Sequence, residues 1–276
     1  MQSAETTLST DPLLRAAVER AIVTLWDRHR EPLSLSAVAQ SADLSPFRLS
    51  RAFRAQTGTS PLRFLAAIRM YQAKRLLSET TLSVTDIAFE TGYHNPRTFD
   101  RTFTTRVGAR PERYRTLALD PEPRPLTCTQ HPTPRRGSMR GLIRVPLQTP
   151  GMRIYIAAFT GPIPRGAPIA RDVLAAPGPY HLTALPPGHW HIRATAVPPT
   201  PHRPHPQPQQ LAVATAHALV QRGGGNVNVD LELRPAEVTD LPTLLSLPEF
   251  DRRATHPVPP LGLVFQPGLA GVWTTA

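Results

Sequence analysis

Over roughly the first 118 residues, apolar side chains recur every three or four positions; beyond Gly151 they alternate, so the chain predicts helices first and strands afterwards. The helical part carries explicit punctuation. In DPLLRAAVERAIVTLWDRH, Asp11 is placed to cap and Pro12 takes the first helical position, with Leu14, Val18, Ile22, Leu25 and Trp26 along one stripe. SLSAVAQSAD predicts a short second helix starting near Ser34 or Ser36. Ser45 and Pro46 open a third, which runs to Thr57 and stops at Gly58. A longer helix follows in SPLRFLAAIRMYQAKRLLSE, with Leu65, Ile68, Ala73, Leu76 and Leu77 for packing. The cycle then repeats. SVTDIAFETG is capped by Ser83, NPRTFDRTFTTRVG is capped by Asn95, opened by Pro96 and closed at Gly108, and RPERYRTL completes a set of seven helices.

The repetition is residue by residue. Laying the stretch from Leu44 over the stretch from His94 places Pro46 on Pro96, Arg51 on Arg101, Phe53 on Phe103, Gly58 on Gly108 and Pro61 on Pro111. A short helix, a tight turn and a second capped helix make a helix-turn-helix unit, whose second helix presents its N-terminal residues to base edges. Ala39 and Ala88 are small enough for the helix crossing, and Asp43 and Gly92 tolerate the positive φ of the turn. With Leu49 and Phe53 facing inward, Phe47, Arg48, Ser50, Arg51 and Arg54 turn outward. With Phe99 and Phe103 inward, Arg97, Thr98, Asp100 and Arg101 do the same. Asp100 either accepts a hydrogen bond from a cytosine amine or pairs with Arg97.

Residues from about 12 to 117 resemble the DNA-binding domain of AraC/XylS-type transcriptional regulators. The stretch LSVTDIAFETGYHNPRTFDRTFTTRVGARPERYR carries the likeness, through Ile87-Ala88, Gly92-Tyr93, Phe99, Arg101, Phe103, Gly108, Pro111 and Tyr114-Arg115. Asp43, where glycine is usual, and Asp100 depart from the pattern. The resemblance implies a sequence-specific regulator of transcription, activator or repressor, with both recognition helices on one face. It makes Phe47, Ser50, Arg51, Arg97, Thr98 and Arg101 the base readers, and leaves phosphate contact or a solvated charge as the alternatives for each arginine. Phosphate contact is the better assignment for Arg48, Arg54 and Arg106. A linking helix of ~19 residues spans ~28 Å, close to the ~34 Å between successive major grooves, so one chain reaches two groove segments. The implied partners are double-stranded DNA and RNA polymerase, with room for a small-molecule effector and a homodimer.

The second part begins after a Pro-rich stretch, LDPEPRPLTCTQHPTPRRGSM, which buries little and reads as a semi-rigid linker. Strands are expected at MRIYIAAF, PYHLTAL, HWHIRATAV and NVNVDLELR, punctuated by PG, PPG and GGG, as in a small antiparallel β-sandwich. Val227, Val229, Leu231 and Leu233 share one face of the last. PGPYHLTALPPGHWHIRATA is similar to a hairpin of carboxypeptidase-regulatory or transthyretin-like sandwich domains. The expected fold class is therefore multi-domain α and β. It comprises an all-α DNA-binding domain over 1–118 with two helix-turn-helix units joined by a long helix, a Pro-rich linker over 119–138, and a β-sandwich over 139–276.

Composition narrows the chemistry. The chain of 276 residues has 31 Lys+Arg against 20 Asp+Glu, a formal charge of +11, which favours a polyanionic partner. Lys74 is the only lysine; arginine, suited to bidentate contacts with guanine and phosphate, supplies nearly all the positive charge. A single cysteine, Cys128, allows no internal disulfide. Neither a membrane span nor a signal peptide is legible, so a cytoplasmic protein is expected. His189 and His191 alternate with Trp190 and Ile192 and read as a solvent-facing pair rather than a metal site, and His202 and His205 belong to Pro-rich sequence. QRGGGNVNV lacks the lysine and helix of a phosphate loop. No cofactor, metal or catalytic arrangement is expected. The rival reading is a regulator fused to an enzymatic, carbohydrate-binding or protein-binding β-domain.

Overall fold

The computed structural model describes residues 11–119, 137–146, 151–161, 168–197, 212–221 and 225–242. Cys128, His202 and His205 lie outside them. Seven helices come first: α1 (Pro12–Asp27), α2 (Leu35–Ser41), α3 (Pro46–Thr57), α4 (Pro61–Glu79), α5 (Val84–Glu90), α6 (Pro96–Val107) and α7 (Pro111–Leu119). The starts of α1, α2, α3, α5 and α6 are fixed by side chains that satisfy otherwise orphaned amides. Asp11 Oδ1 accepts from Leu13 N at 2.9 Å, Ser34 Oγ from Ala37 N at 3.2 Å and Ser83 Oγ from Asp86 N at 3.1 Å. Ser83 Oγ also donates to Asp86 Oδ2, so the two side chains brace each other at the helix start.

Each half folds over its own core, and α4 serves both. Its Phe64, Leu65 and Ile68 join α1, α2 and α3 around Val18, Ile22, Leu25, Leu49 and Phe53. Its Ala67, Met70, Ala73 and Leu77 join Ile87, Ala88, Phe99, Phe103 and Tyr114 in the second core. Tyr71 packs against both cores. The repeat extends to ring geometry, since Phe53–Phe64 and Phe103–Tyr114 stack edge-to-face at 5.5 and 5.8 Å in equivalent places. A helix apolar nearly all round is one packed on more than one side.

The remaining elements are strands: β1 (Gly137–Arg144), β2 (Arg153–Phe159), β3 (Ala170–Leu174), β4 (Pro179–Leu185), β5 (Gly188–Val197), β6 (Ala212–Val220), β7 (Asn226–Asn228), β8 (Leu231–Glu232) and β9 (Arg234–Pro235). One sheet has the order β4-β1-β7 with β8 also on β1, and the other runs β3-β2-β5-β6-β9. Both contribute to a single core, with Met139 and Ile143 from β1, Leu182 from β4, Ile154 and Ile156 from β2, and Trp190 and Ile192 from β5.

Three features differ from the sequence-based expectation. The first sheet is mixed rather than antiparallel, because β1 pairs β7 and β8 in parallel, Ser138 with Asn226 and Ile143 with Leu231. NVNVDLELR is three short pieces rather than one strand, although Leu231 and Leu233 are buried and Val227 and Val229 pack on the same core. β1 starts at Gly137, inside the stretch assigned to the linker, and β3 and β6 were not anticipated.

The outer face of the second sheet is also not a plain solvent face. Tyr155, Ala157 and Phe159 are buried there beside Val173 and Val197. Arg193, on the same face, donates from Nη2 to the Leu241 carbonyl at 2.9 Å, and Leu241 packs against both helical cores. Arg15 of α1 pairs with Glu237 at 3.3 Å. The segment after β9 thus touches both parts of the chain.

Candidate nucleic-acid interface

The interface is built on α3 and α6, which are held in the same way. The preceding short helix ends in a left-handed residue, Asp43 at φ 56° and Gly92 at φ 79°. Beyond it the chain turns back, Leu44 N donating to Ala39 O at 3.0 Å and Tyr93 N to Ala88 O at 2.9 Å. The next residues cap the recognition helices. Ser45 Oγ accepts from Arg48 N at 3.3 Å, and Asn95 Oδ1 accepts from Arg97 N at 2.9 Å and Thr98 N at 3.3 Å. Leu49, Phe53, Phe99 and Phe103 are fully buried, which fixes the rotation of each helix and directs the other faces outward.

Eight of the nine residues expected to touch nucleic acid lie on those outward faces. Phe47, Arg48, Arg51, Arg54, Arg97, Thr98 and Arg101 are exposed, and Ser50 is half-buried. Phe47 is 72% exposed, a large apolar side chain with no core to join. The Arg51 guanidinium carbon stands 5.8 Å from its ring centroid. The ninth, Arg106, differs: it is half-buried, already engaged within the protein, and close enough to Tyr93 to counter the upward shift that burial gives that phenol. Its position in the last turn of α6 also places it beside the helix C-terminus.

Ion pairs engage several arginines elsewhere in the domain, although among the described residues Arg63 and Arg110 are exposed and have none. Arg15, Arg20, Arg28, Arg30 and Arg75 each pair with a carboxylate within 4.0 Å. Among the described residues, Arg48, Arg51, Arg54, Arg97 and Arg101 have no such partner. Asp100 likewise forms no ion pair with Arg97, so the pairing alternative for Asp100 is not the arrangement present. Five guanidinium groups without carboxylate partners, on two helices capped and rotated alike, are free to pair with phosphate or to donate to guanine.

The two heads are joined by more than the linking helix. Arg69 of α4 donates from Nε to His29 O and from Nη2 to Glu31 O, each at 2.7 Å, gripping the loop between α1 and α2. Its guanidinium also lies 5.7 Å from the Tyr93 ring centroid in the other head, and Tyr93 stacks edge-to-face on Phe99 of α6 at 5.6 Å. Arg30 and Glu90 bridge the heads at 2.8 Å. A cavity of about 300 Å³ opens here beside Trp26, His29 and Gln72. On its rim Arg30 pairs with Glu90 and Arg75 with Glu79, Asp27 forms no ion pair among the described residues, and burial holds the His29 pKa below the usual histidine value. Arg69 was not singled out by its sequence; its position at the middle of α4, facing two loops, becomes visible only in three dimensions.

On the sheet, His189 is exposed as expected, but His191 is half-buried and meets His217, its cross-strand neighbour, edge-to-face at 4.5 Å. Burial, then His217 and His189, holds the His191 pKa low. Among the described residues, no group of three or more histidine, cysteine or carboxylate side chains is gathered as metal ligands would be.

With this geometry in place, comparison with known proteins adds a family. The helix-turn-helix domain family matches residues 38–116. The lactose operon transcription activator of Staphylococcus xylosus is 29% identical over 98 residues, covering 36% of this chain and 35% of that protein. The arabinose operon regulatory protein of Salmonella typhimurium strain LT2 is 35% identical over 105 residues, 38% of this chain and 36% of that protein. The crystal structure of the DNA-binding domain of AdpA, in complex with a target DNA, is similar at 29% identity and a TM-score of 0.34, over 39% of this chain and 92% of that one. The chain spans about a third of the length of these two curated relatives. Residues 38–116 therefore form an AraC-type helix-turn-helix domain.

Proposed function

We propose that this protein is a sequence-specific DNA-binding regulator of transcription, which reads two adjacent major-groove segments with α3 and α6. The observation that carries this reading is the row of five exposed arginines without ion-pair partners on two helices capped and rotated alike. Arg51 and Arg101 take the equivalent place in each helix and act as the principal base readers, by bidentate hydrogen bonds to guanine. Phe47, Ser50, Arg97 and Thr98 fill out the base-facing set. Arg48 and Arg54 anchor the phosphates, and Arg106, half-buried in the last turn of α6, adds its charge from there.

The two sheets around one core support the reading of the second part as a β-sandwich with a mixed first sheet, acting as a sensing or assembly module. RNA polymerase contact, a small-molecule effector and a homodimer belong to this proposal, as do a cytoplasmic location and the lack of catalytic activity. No helix among the described residues is long and apolar enough to cross a membrane.

Selection of binding sites from a random duplex library tests the assignment of readers. The full chain should select one asymmetric motif in two blocks. Arg51→Ala should erase sequence information in one block and Arg101→Ala in the other, each variant losing about 1–3 kcal/mol on the preferred site. A uniform loss across all sequences would make these arginines phosphate contacts, and the absence of any selected motif would overturn the function.

A further inference from the structure

We infer that Arg69 is the positioning residue that sets the spacing and angle of the two recognition helices, an inference that rests on the two-headed reading proposed above. Three contacts converge on its guanidinium. Two are hydrogen bonds of 2.7 Å to the carbonyl oxygens of His29 and Glu31, in the loop that leads from α1 into the first helix-turn-helix unit. The third is the face of Tyr93, the residue directly after the left-handed Gly92 that turns the chain into the second recognition helix. Tyr93 passes the contact on to Phe99, one of the two aromatic side chains that fix the rotation of α6.

The same junction is packed without slack. A Cβ on Gly92 would lie 2.8 Å from Arg30 O, 2.9 Å from His29 O and 3.0 Å from Arg69 Nη2. The turn of the second head is therefore seated directly on the loop of the first, and Arg69 holds both. Only a planar, forked cation satisfies two carbonyls and a ring together; lysine offers a single point of charge. Arg69 touches no base or phosphate in this arrangement, since it lies on the linking helix and is turned to the protein interior between the heads. Its effect on DNA comes through geometry. Two modules held at the right separation bind a two-part site about 10²–10⁴ times better than either does alone, and that advantage disappears when the separation is wrong.

The test compares full-length wild type with Arg69→Met and Arg69→Lys on three duplexes: a selected two-block site, the first block alone and the second block alone. Both variants should bind each single block within about twofold of wild type, while Arg69→Met loses about tenfold or more on the two-block site and Arg69→Lys loses less. A library with variable spacing between blocks should show a broader preferred spacing for Arg69→Met than for wild type. Equal losses on single and double blocks would reduce Arg69 to a prop for one head, and no loss on the two-block site would remove it from positioning altogether. Amide hydrogen exchange without DNA separates this from the function itself. Arg69→Met should speed exchange together at Glu31 and Leu33 in the first head and at Tyr93 in the second. If exchange rises in only one head, or in neither, the coupling is wrong even where DNA reading stands. If the exchange result holds and wild type shows no sequence preference, the DNA-reading function fails and the coupling survives.

Discussion

Replacing Gly92 by alanine tests how tightly the second head is built onto the first. Gly92 has φ 79°, a conformation costing an L-residue about 1–2 kcal/mol. Its added methyl would sit 2.8 and 2.9 Å from two backbone carbonyl oxygens, well inside ordinary contact. The His29 carbonyl is itself pinned by Arg69, so the loop cannot retreat cheaply, and overpacking of this kind costs about 1–3 kcal/mol. Together the two effects predict a loss of about 2–5 kcal/mol for Gly92→Ala. Gly58 supplies the control. It has φ 72° but nothing within 4 Å of its would-be Cβ, so Gly58→Ala should show the backbone penalty alone, partly offset by the stiffer unfolded chain. Native-state hydrogen exchange on the full chain, followed at the amides of Phe99 and Phe103 for Gly92→Ala and of Leu49 and Phe53 for Gly58→Ala, gives each opening free energy separately. If Gly92→Ala costs no more than Gly58→Ala, the close seating of the two heads is not a real constraint.

Three further outcomes follow from other parts of the molecule. Arg54→Ala should weaken binding to specific and random duplexes alike and lower the slope of log affinity against log salt by roughly one unit; loss confined to the specific site would make it a base reader. Trp190→Ala should destabilise the sheet domain by about 3–5 kcal/mol, because the indole is 5% exposed within the shared core and donates to the Pro186 carbonyl at 2.9 Å. Exchange at Ile192 and Leu182 reads that loss, and a change under about 1 kcal/mol would contradict the shared core. Lys74, the one lysine, is buried over the Tyr114 ring with its pKa lowered by burial to about 7. The folded protein gives up that proton before the unfolded chain does, so helical-domain stability should rise as pH climbs from about 7 towards 10.5 and stay level below about 7, where both states hold the proton. Lys74→Met should flatten this dependence, and an unchanged pH profile would show that Lys74 is not the group responsible.

The helical half was legible because its local signals agree with one another. Asp11, Ser45, Ser83 and Asn95 cap where their sequence context places them, and Gly58 and Gly108 close their helices in the left-handed region as glycine permits. The double register predicted which side chains face out, and seven of the nine proposed contact residues are exposed. Arg106 escaped because helical periodicity says nothing about a neighbour such as Tyr93, thirteen residues earlier in the chain. Arg69 escaped for the same reason, its partners lying about 40 residues before it and 24 after it.

The strand half was less legible. β6, AVATAHALV, is rich in alanine, which carries little strand preference. β1 includes two glycines and pairs in parallel with pieces some 88 residues away, which no local pattern announces. A signal for the covered outer face was nevertheless present. IYIAAF is apolar at every position, and such a run reads as a strand buried on both sides, as Tyr155, Ala157 and Phe159 are.

The central claim is that one chain carries two DNA-reading heads at a fixed separation. Hydroxyl-radical footprinting of the full chain on its selected duplex tests this most directly. The 19-residue α4 spans ~28 Å, so two protected patches should appear on one face of the duplex, centred about 10 base pairs apart, one helical turn. A single protected patch, or two patches on opposite faces of the helix, would contradict it.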